Sequence, residues 1–441
     1  MKYISTCLLA LFSTASMASD FSFSGFGTIS AVKTNNSDVE FIQNNRLPSG
    51  ASDDWEFDND TVLGLQGQYK FNDQWSAVVQ LLSRRNEKNN FDPQVDWAYI
   101  KYNPEPNLSF RLGRFISPVF LASDNRNVGF SNIWVRPPID IYSQSTINNI
   151  DGADVTYRGY FGDFDYSIQA YVGGYTLDFP GGGDIEFHHM AGLVGTLSYD
   201  SWTFRLAYMN ADHSNHNSDG VVPDPNIFMV VTDDGLGFNV TPDEACLFAE
   251  NGESCADVIT NLQSNIDYVK RSHRPFNLTN AAVVYDDGEY FAQGEFMHRR
   301  SASALSDAIG AYLTLGMRLG DFSPYVSYSF GKTLKETRYF ELTPEYKAAV
   351  DAGVIAAGLD VANDYTVSAF NFTSNKQNTL TAGVRYDFAP NMALKLQVDK
   401  FRPLEHDDRD SYGNGLIVNG PLLSSLDRNV YVTTVSFDFI F

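Results

Sequence analysis

The sequence predicts an all-β chain, a transmembrane antiparallel β-barrel of about sixteen strands with short periplasmic turns and long external loops. Three observations predict it. The last fourteen residues, Arg428 to Phe441, alternate with period two and end on an aromatic residue. Tight turns and long loops alternate strictly along the chain. The chain begins like an exported protein yet holds no run of eighteen apolar residues, so a membrane could be crossed only by strands.

In the terminal strand Tyr431, Thr433, Val435, Phe437, Phe439 and Phe441 share one face, and Val430, Val432, Thr434, Ser436, Asp438 and Ile440 share the other. An aromatic face that reaches the last residue needs an apolar surface to its end. A closed barrel in lipid supplies that surface and pairs the strand's free edge with the first strand. The last strand of a soluble sandwich is the other reading of this stretch taken alone. At the opposite end Lys2, the apolar stretch Cys7 to Phe12, and Ser16-Met17-Ala18 read as a secretory signal peptide over 1–18. The barrel domain is then expected over 19–441. Aromatics make up 14% of the chain while mean hydropathy is only −0.24, a combination that an apolar outer band around a polar lumen produces. The formal net charge of −23 argues against nucleic acid as a partner.

Alternation places strands at about 20–33, 61–71, 74–85, 95–103, 108–116, 151–161, 164–175, 189–199, 202–211, 276–286, 289–300, 308–319, 322–332, 378–388, 392–401 and 428–441. The short connections carry turn chemistry: Asn72-Asp73, Pro104-Glu105-Pro106, Gly162-Asp163, Asp200-Ser201, Asp287-Gly288, Gly320-Asp321 and Pro390-Asn391. Strict alternation puts every tight turn on one rim, whereas Greek-key connections would scatter loop lengths. Aromatics collect beside these turns: Tyr69, Phe71 and Trp75; Phe161, Phe164 and Tyr166; Tyr199, Trp202 and Phe204; Tyr386 and Phe388. Rings gathered at one level form an interfacial girdle.

If the apolar parity faces lipid, the opposite parity lines a lumen. That parity carries Arg84, Lys101, Arg111, Arg158, Arg205, Arg299, Arg318, Arg385 and Lys395, against Asp154, Asp165, Glu295, Asp399 and Asp438. The wall reads as basic although the chain is acidic. Fixed charges of one sign set ion preference in a pore; the competing reading is that these cations only brace the wall by pairing with its carboxylates. The segment 117–150 is long for a loop yet rich in apolar residues, among them Phe120, Phe130, Trp134 and Ile139. Folded inward it would narrow the pore, with Asp124, Arg126, Trp134, Arg136 and Asp140 at the constriction. Folded outward it would serve as a subunit latch.

Gly113-Arg114 with Pro118, Ser123-Asp124, Val128-Gly129-Phe130, Trp134-Val135-Arg136-Pro137-Pro138 and the terminal Phe441 resemble Gram-negative outer-membrane porins of the sixteen-stranded trimeric type, in particular porin-like proteins of marine gammaproteobacteria. The resemblance implies a homotrimer of passive channels whose third external loop, here 117–150, enters the lumen. It also implies outer-membrane lipid and lipopolysaccharide as surroundings, with small solutes and ions as cargo. The acidic Pro-Glu-Phe-type loop motif of general porins is absent.

No catalytic residue, metal site or cofactor is expected. His188-His189 and Asp212-His213 with His216 are the clustered histidines, and loop histidines in an Asn/Asp-rich stretch are ordinarily solvated. Asp408 to Gly413 only loosely echoes a calcium loop. Cys246 and Cys255, within the long loop 212–275, are expected to form a disulfide suited to an exported chain. Thr343-Pro344 followed by Ala-rich sequence predicts a short helix over 344–357. The function expected is a passive channel for small hydrophilic solutes with a mild anion preference. The alternatives are a substrate-specific channel, an outer-membrane hydrolase or an adhesin.

Overall fold

Sixteen strands pair, each with its sequence neighbour, until β16 meets β1 and the sheet closes. They are β1 (Phe21–Thr34), β2 (Val62–Lys70), β3 (Trp75–Arg84), β4 (Gln94–Glu105), β5 (Leu108–Ile116), β6 (Asn149–Phe161), β7 (Phe164–Asp178), β8 (Asp184–Tyr199), β9 (Trp202–His216), β10 (Arg274–Asp286), β11 (Tyr290–Ser301), β12 (Ala308–Met317), β13 (Phe322–Thr333), β14 (Lys376–Ala389), β15 (Met392–Pro403) and β16 (Val430–Ile440). The structure is a computed structural model, and it describes residues 20–37, 39–43, 47–145, 147–178, 184–216, 229–232, 235–238, 274–301, 307–334, 376–406, 409–412, 417–418 and 429–441. The signal peptide over 1–18, the Cys246–Cys255 bridge and the helix over 344–357 lie outside the described residues.

The closing seam shows why the terminal strand needs its aromatics. β1 and β16 run antiparallel with Phe26 opposite Ile440 and Thr34 opposite Val432. Gly25 and Phe441 exchange both backbone hydrogen bonds, at 2.8 and 2.9 Å. The rings of Phe441 and Phe439 lie across bare Gly25 and Gly27 on the neighbouring strand, where a Cβ would collide with them. The glycines make room for the rings, and the rings cover backbone that glycine leaves open.

Outward positions are apolar. Leu112, Leu206, Leu313, Leu380 and Val326 are exposed along the wall, with Tyr69, Phe71, Trp75, Tyr199, Trp202 and Phe322 toward the turns. The girdle rings stack across strands, Trp75 on Tyr102 and Phe322 on Tyr386, each with centroids 4.4 Å apart. At the tight turns Asp200, Gly162, Gly288, Gly320 and Asn391 adopt positive φ, the backbone state that Gly and Asn tolerate best.

The strand boundaries differ from the sequence expectation chiefly at the loop ends of β7, β8 and β9, which run on beyond Tyr175, His189 and Ala211. The cause is a break in alternation. Register shifts lie between Gly173 and Tyr175 and between Asn210 and Asp212, and His189 stands at φ 48°. A bulge switches face parity, so a period-two reading stops there while the strand continues. Within 212–275, Met229–Thr232 pairs with Gly235–Phe238 as a small ribbon.

Candidate channel constriction

Residues 117–148 leave β5 and cross the barrel interior to the far wall. Short turns fold the segment: one 3-10 turn at Ser123–Asn125, another at Gly129–Ser131, and a single helical turn at Ile139–Tyr142 after Pro137-Pro138. Asn132 and Ser131 stitch the middle together by donating to the carbonyls of Asn125 and Val128. The apolar residues that a solvated loop would not keep go into a dry cluster. Phe120, Trp134, Ile141 and Tyr142 pack against Phe187, Met209, Phe276, Leu278, Met297 and Tyr312 of the β8–β12 wall. Trp134 meets Tyr312 edge-on at 5.7 Å and donates through Nε1 to Thr314 Oγ1 at 3.0 Å.

Polar bonds then fasten the loop backbone to the wall. Lys395 Nζ donates to the carbonyls of Gly129 and Trp134 at 2.6 and 2.8 Å and lies 3.0 Å from Asp438 Oδ2, with both side chains 0% exposed. Arg385 donates to the carbonyls of Phe130 and Asn132, Arg205 to those of Pro118 and Val119, and Arg299 to that of Gln144. Glu295 accepts from the Leu121 N–H and the Tyr142 hydroxyl at 2.7 and 2.8 Å. Arg136 is buried between Asp60, Asp399 and Thr434, with Phe41 of the first loop 4.7 Å below its guanidinium. Asp140 accepts from Ser329 and Gln377, both at 2.5 Å. Burial pushes the Asp140 carboxyl above the ordinary carboxylate range, and burial with Glu295 beside it holds the Tyr142 phenol well above its usual value.

The nine wall cations therefore divide. Arg205, Arg299, Arg385 and Lys395 hold the loop, Arg299 and Lys395 buried beneath it and Arg205 and Arg385 half-buried. Arg318 sits on the turn rim in a two-bonded pair with Asp286, at 2.6 and 2.7 Å. Arg84, Lys101, Arg111 and Arg158 lie on the inner face of β3–β6, the half of the lumen that the loop's apolar cluster leaves open. There Lys101 stands opposite Arg111, and Arg111 opposite Asp154, across β4, β5 and β6. Asp154 binds Arg111 through two nitrogens, at 3.0 Å to Nε and 2.5 Å to Nη2. Among the described residues neither Lys101 nor Arg158 has a carboxylate partner. The loop faces this half with Asp124, Arg126 and Asn127; Arg84 Nη1 donates to Asn127 Oδ1 at 3.2 Å. A cleft runs between the loop and β1–β3, bordered by Thr28, Gln43, Asp60, Thr61, Arg84 and Arg126.

Sequence reasoning missed Asp60 and Phe41 from the first loop, and the use of wall cations as donors to loop carbonyls. Phe41-Ile42 within an otherwise polar stretch was the available signal for an inward turn. Among the described residues the histidines do not assemble into a cluster. His213 is buried against the rings of Phe187 and Phe276, while Asp212 reaches His189 at 3.4 Å and His188 reaches Glu186 at 3.5 Å.

No family model matches the chain, and no curated protein does. Solved structures do. The OmpF–daunomycin complex of Salmonella typhi is 12% identical with a TM-score of 0.50, covering 96% of this chain and 97% of that one. The trimer form of the in-vitro folded outer membrane protein OmpT of Vibrio cholerae is 10% identical with a TM-score of 0.50, covering 96% and 99%. The anion-selective porin from Comamonas acidovorans is 10% identical with a TM-score of 0.47, covering 96% and 100%. The fold is that of outer-membrane porins. A closed barrel wrapped in an apolar belt is built for lipid, and this one belongs in a bacterial outer membrane.

Proposed function

We propose that the protein is a passive channel for small hydrophilic solutes with a mild preference for anions. The tight turns face the periplasm and the loops face outward. Segment 117–148 is the constriction, and the solute path runs between it and β1–β6. The observation that carries the anion preference is the pair Lys101 and Arg158 on the open side, cations with no carboxylate partner among the described residues. Arg111 and Asp154 cancel locally, and the four cations under the loop have their charge spent on carbonyls and carboxylates.

Reversal potential across a planar bilayer in a KCl gradient tests this. The expected result is a small anion preference that Lys101→Gln with Arg158→Gln abolishes. Cation preference in the unaltered channel would overturn it, and a barrel without stepwise conductance would favour the enzyme or adhesin alternatives.

Assembly as a homotrimer belongs to the same proposal. Arg114 and Asp151 pair on the outward face of β5–β6, at 2.6–2.7 Å, beside exposed Leu112. An ion pair facing lipid within the apolar belt is costly, whereas a neighbouring subunit could shield it. Cross-linking in native membranes reads the subunit number.

A further inference from the structure

The first external loop turns inward as well. Its described parts are 35–37, 39–43 and 47–60. Val39, Phe41 and Ala51 there are 0% exposed, Ile42 3% and Leu47 4%. A loop standing in water does not bury its apolar side chains.

The burial comes from a small hairpin. Phe41 and Ala51 exchange both backbone hydrogen bonds at 2.8 Å, and the returning limb joins β1 through Val32 and Glu56, again with both bonds at 2.8 Å. Gly50 lets the two limbs close, since a Cβ there would strike the Phe41 carbonyl. Glu40–Phe41 also pairs with Ile417–Val418 of the last loop.

The hairpin's apolar side lies against the constriction loop and the wall. Phe41 belongs to one buried cluster with Ile139 of that loop and with Phe401, Val430 and Val432 of β15–β16. Its ring stacks on Phe401 with centroids 5.4 Å apart. Arg136 is held by two bodies at once. The wall supplies Asp399 and Thr434, and the first loop supplies Asp60 and the Phe41 ring. The hairpin in turn is tied to the second external loop. Arg85, 5% exposed, donates to Ser49, to Asp58 at 3.3 Å and to Asn89 at 2.6 Å. Among the described residues none of these partners lies in 117–148.

We infer that the first loop is a strap over the constriction loop. While it is docked, the Arg136 end of 117–148 stays against the wall; its release lets that end go and widens the pore. Undocking the strap takes Asp60 from Arg136 and uncovers Ile139 and Phe401 together, so strap and loop end each favour the other's docking. The anchor at Arg85 stands outside the constriction, so conductance answers to the state of the outer loops. The inference rests on 117–148 being the constriction, and not on which ions it favours. Protease cutting reads the strap without current, so a barrel that fails to conduct leaves the strap to be judged on cutting.

Arg85→Gln in the full-length barrel tests it, because any effect on 117–148 must travel through the first loop. Limited proteolysis maps cuts in 35–60 and in 117–148 separately, and planar-bilayer recording reads unit conductance. Without the charge-assisted bonds of Arg85 the first loop should come free, and cutting within 117–148 should rise with it by about tenfold, with larger and noisier unit openings. Unchanged protection of 117–148, whether or not the first loop is cut, overturns the proposal. So does an unchanged unit conductance in a conducting barrel. Should Arg85→Gln lack the heat-modifiable band of a folded barrel, Phe41→Ala decides on the same two readouts, and unchanged protection of 117–148 there overturns the proposal.

Discussion

Replacing Lys395 by Met should release the constriction loop while leaving the barrel closed. Lys395 Nζ holds two loop carbonyls, at Gly129 and Trp134, and faces Asp438 at 3.0 Å. Without it, among the described residues Asp438 keeps Thr28 Oγ1 at 2.6 Å and Ser436 Oγ at 3.3 Å, with no countercharge in contact with its carboxylate. Breaking a buried pair in this way costs about 3–5 kcal/mol, because one charge stays behind without compensation. The two carbonyls lose charge-assisted bonds as well, each worth roughly 1.5–3 kcal/mol. Most of the cost falls on the docked loop, since an undocked loop lets water reach Asp438 and both carbonyls. At about 1.4 kcal/mol per decade, the docked-to-undocked ratio should fall by at least two decades. Single-channel recording should show larger and noisier openings, and proteolysis should cut within 117–148. Adding Asp438→Asn removes the stranded charge and should restore much of the docking, so the two substitutions should couple strongly in a double-mutant cycle. Unchanged conductance and an unchanged protease pattern in Lys395→Met would refute the reasoning that wall cations hold this loop.

Trp134→Ala should also loosen the loop, by about 3–5 kcal/mol for a fully buried ring, read as protease sensitivity at a position that carries no charge. Docking should depend on pH through Asp140. Burial raises its carboxyl, so its contribution is complete below the ordinary carboxylate range and is lost as pH rises through the raised value. Loop protection should therefore be greater in acid, and Asp140→Asn should hold the protected state at neutral pH and flatten the profile. Gly113→Ala should impair folding, seen as loss of the heat-modifiable band, because Gly113 stands at φ 130° and a Cβ there would strike the Ala98 carbonyl. Titration of the denatured, unreduced protein should find no free thiol at Cys246 and Cys255; two free thiols would dismiss the bridge.

The barrel was legible because its physics repeats. Every strand crosses the same lipid belt, so alternation, girdle aromatics and turn residues signal the same architecture many times over. The terminal strand shows this at each odd position from Tyr431 to Phe441. What was not legible has one common cause, contact between segments far apart in sequence. Parity places Lys395 on the inner wall, but only the fold shows that a loop about 260 residues earlier lies across it. Asp60 reads as one acid in an acidic stretch, yet it is the partner of Arg136. The bulges hid the loop ends of β7, β8 and β9 for a different reason, because a period-two reading has no way to absorb an extra residue.

The division of the wall cations bears on how an acidic chain can favour anions. Counting charges at lumen parity treats nine cations as equivalent, but their surroundings set how far each field reaches. Lys395 is neutralised within 3.0 Å by Asp438 and lies wholly out of water. Arg385, Arg205 and Arg299 point their donors at loop carbonyls, so part of each field ends on those dipoles. Arg111 is bound by Asp154. Lys101 and Arg158, on β4 and β6 of the open half, are left to face the solute path. Any preference should thus be small and should reside in these two residues, with acids of the loops, Asp53, Asp54 and Glu56 among them, opposing it over about a Debye length of 8–10 Å. Raising the salt separates the contributions. Mouth charges are screened first, so the anion preference should grow as ionic strength rises; a preference that turns toward cations instead would place the controlling charge outside the wall.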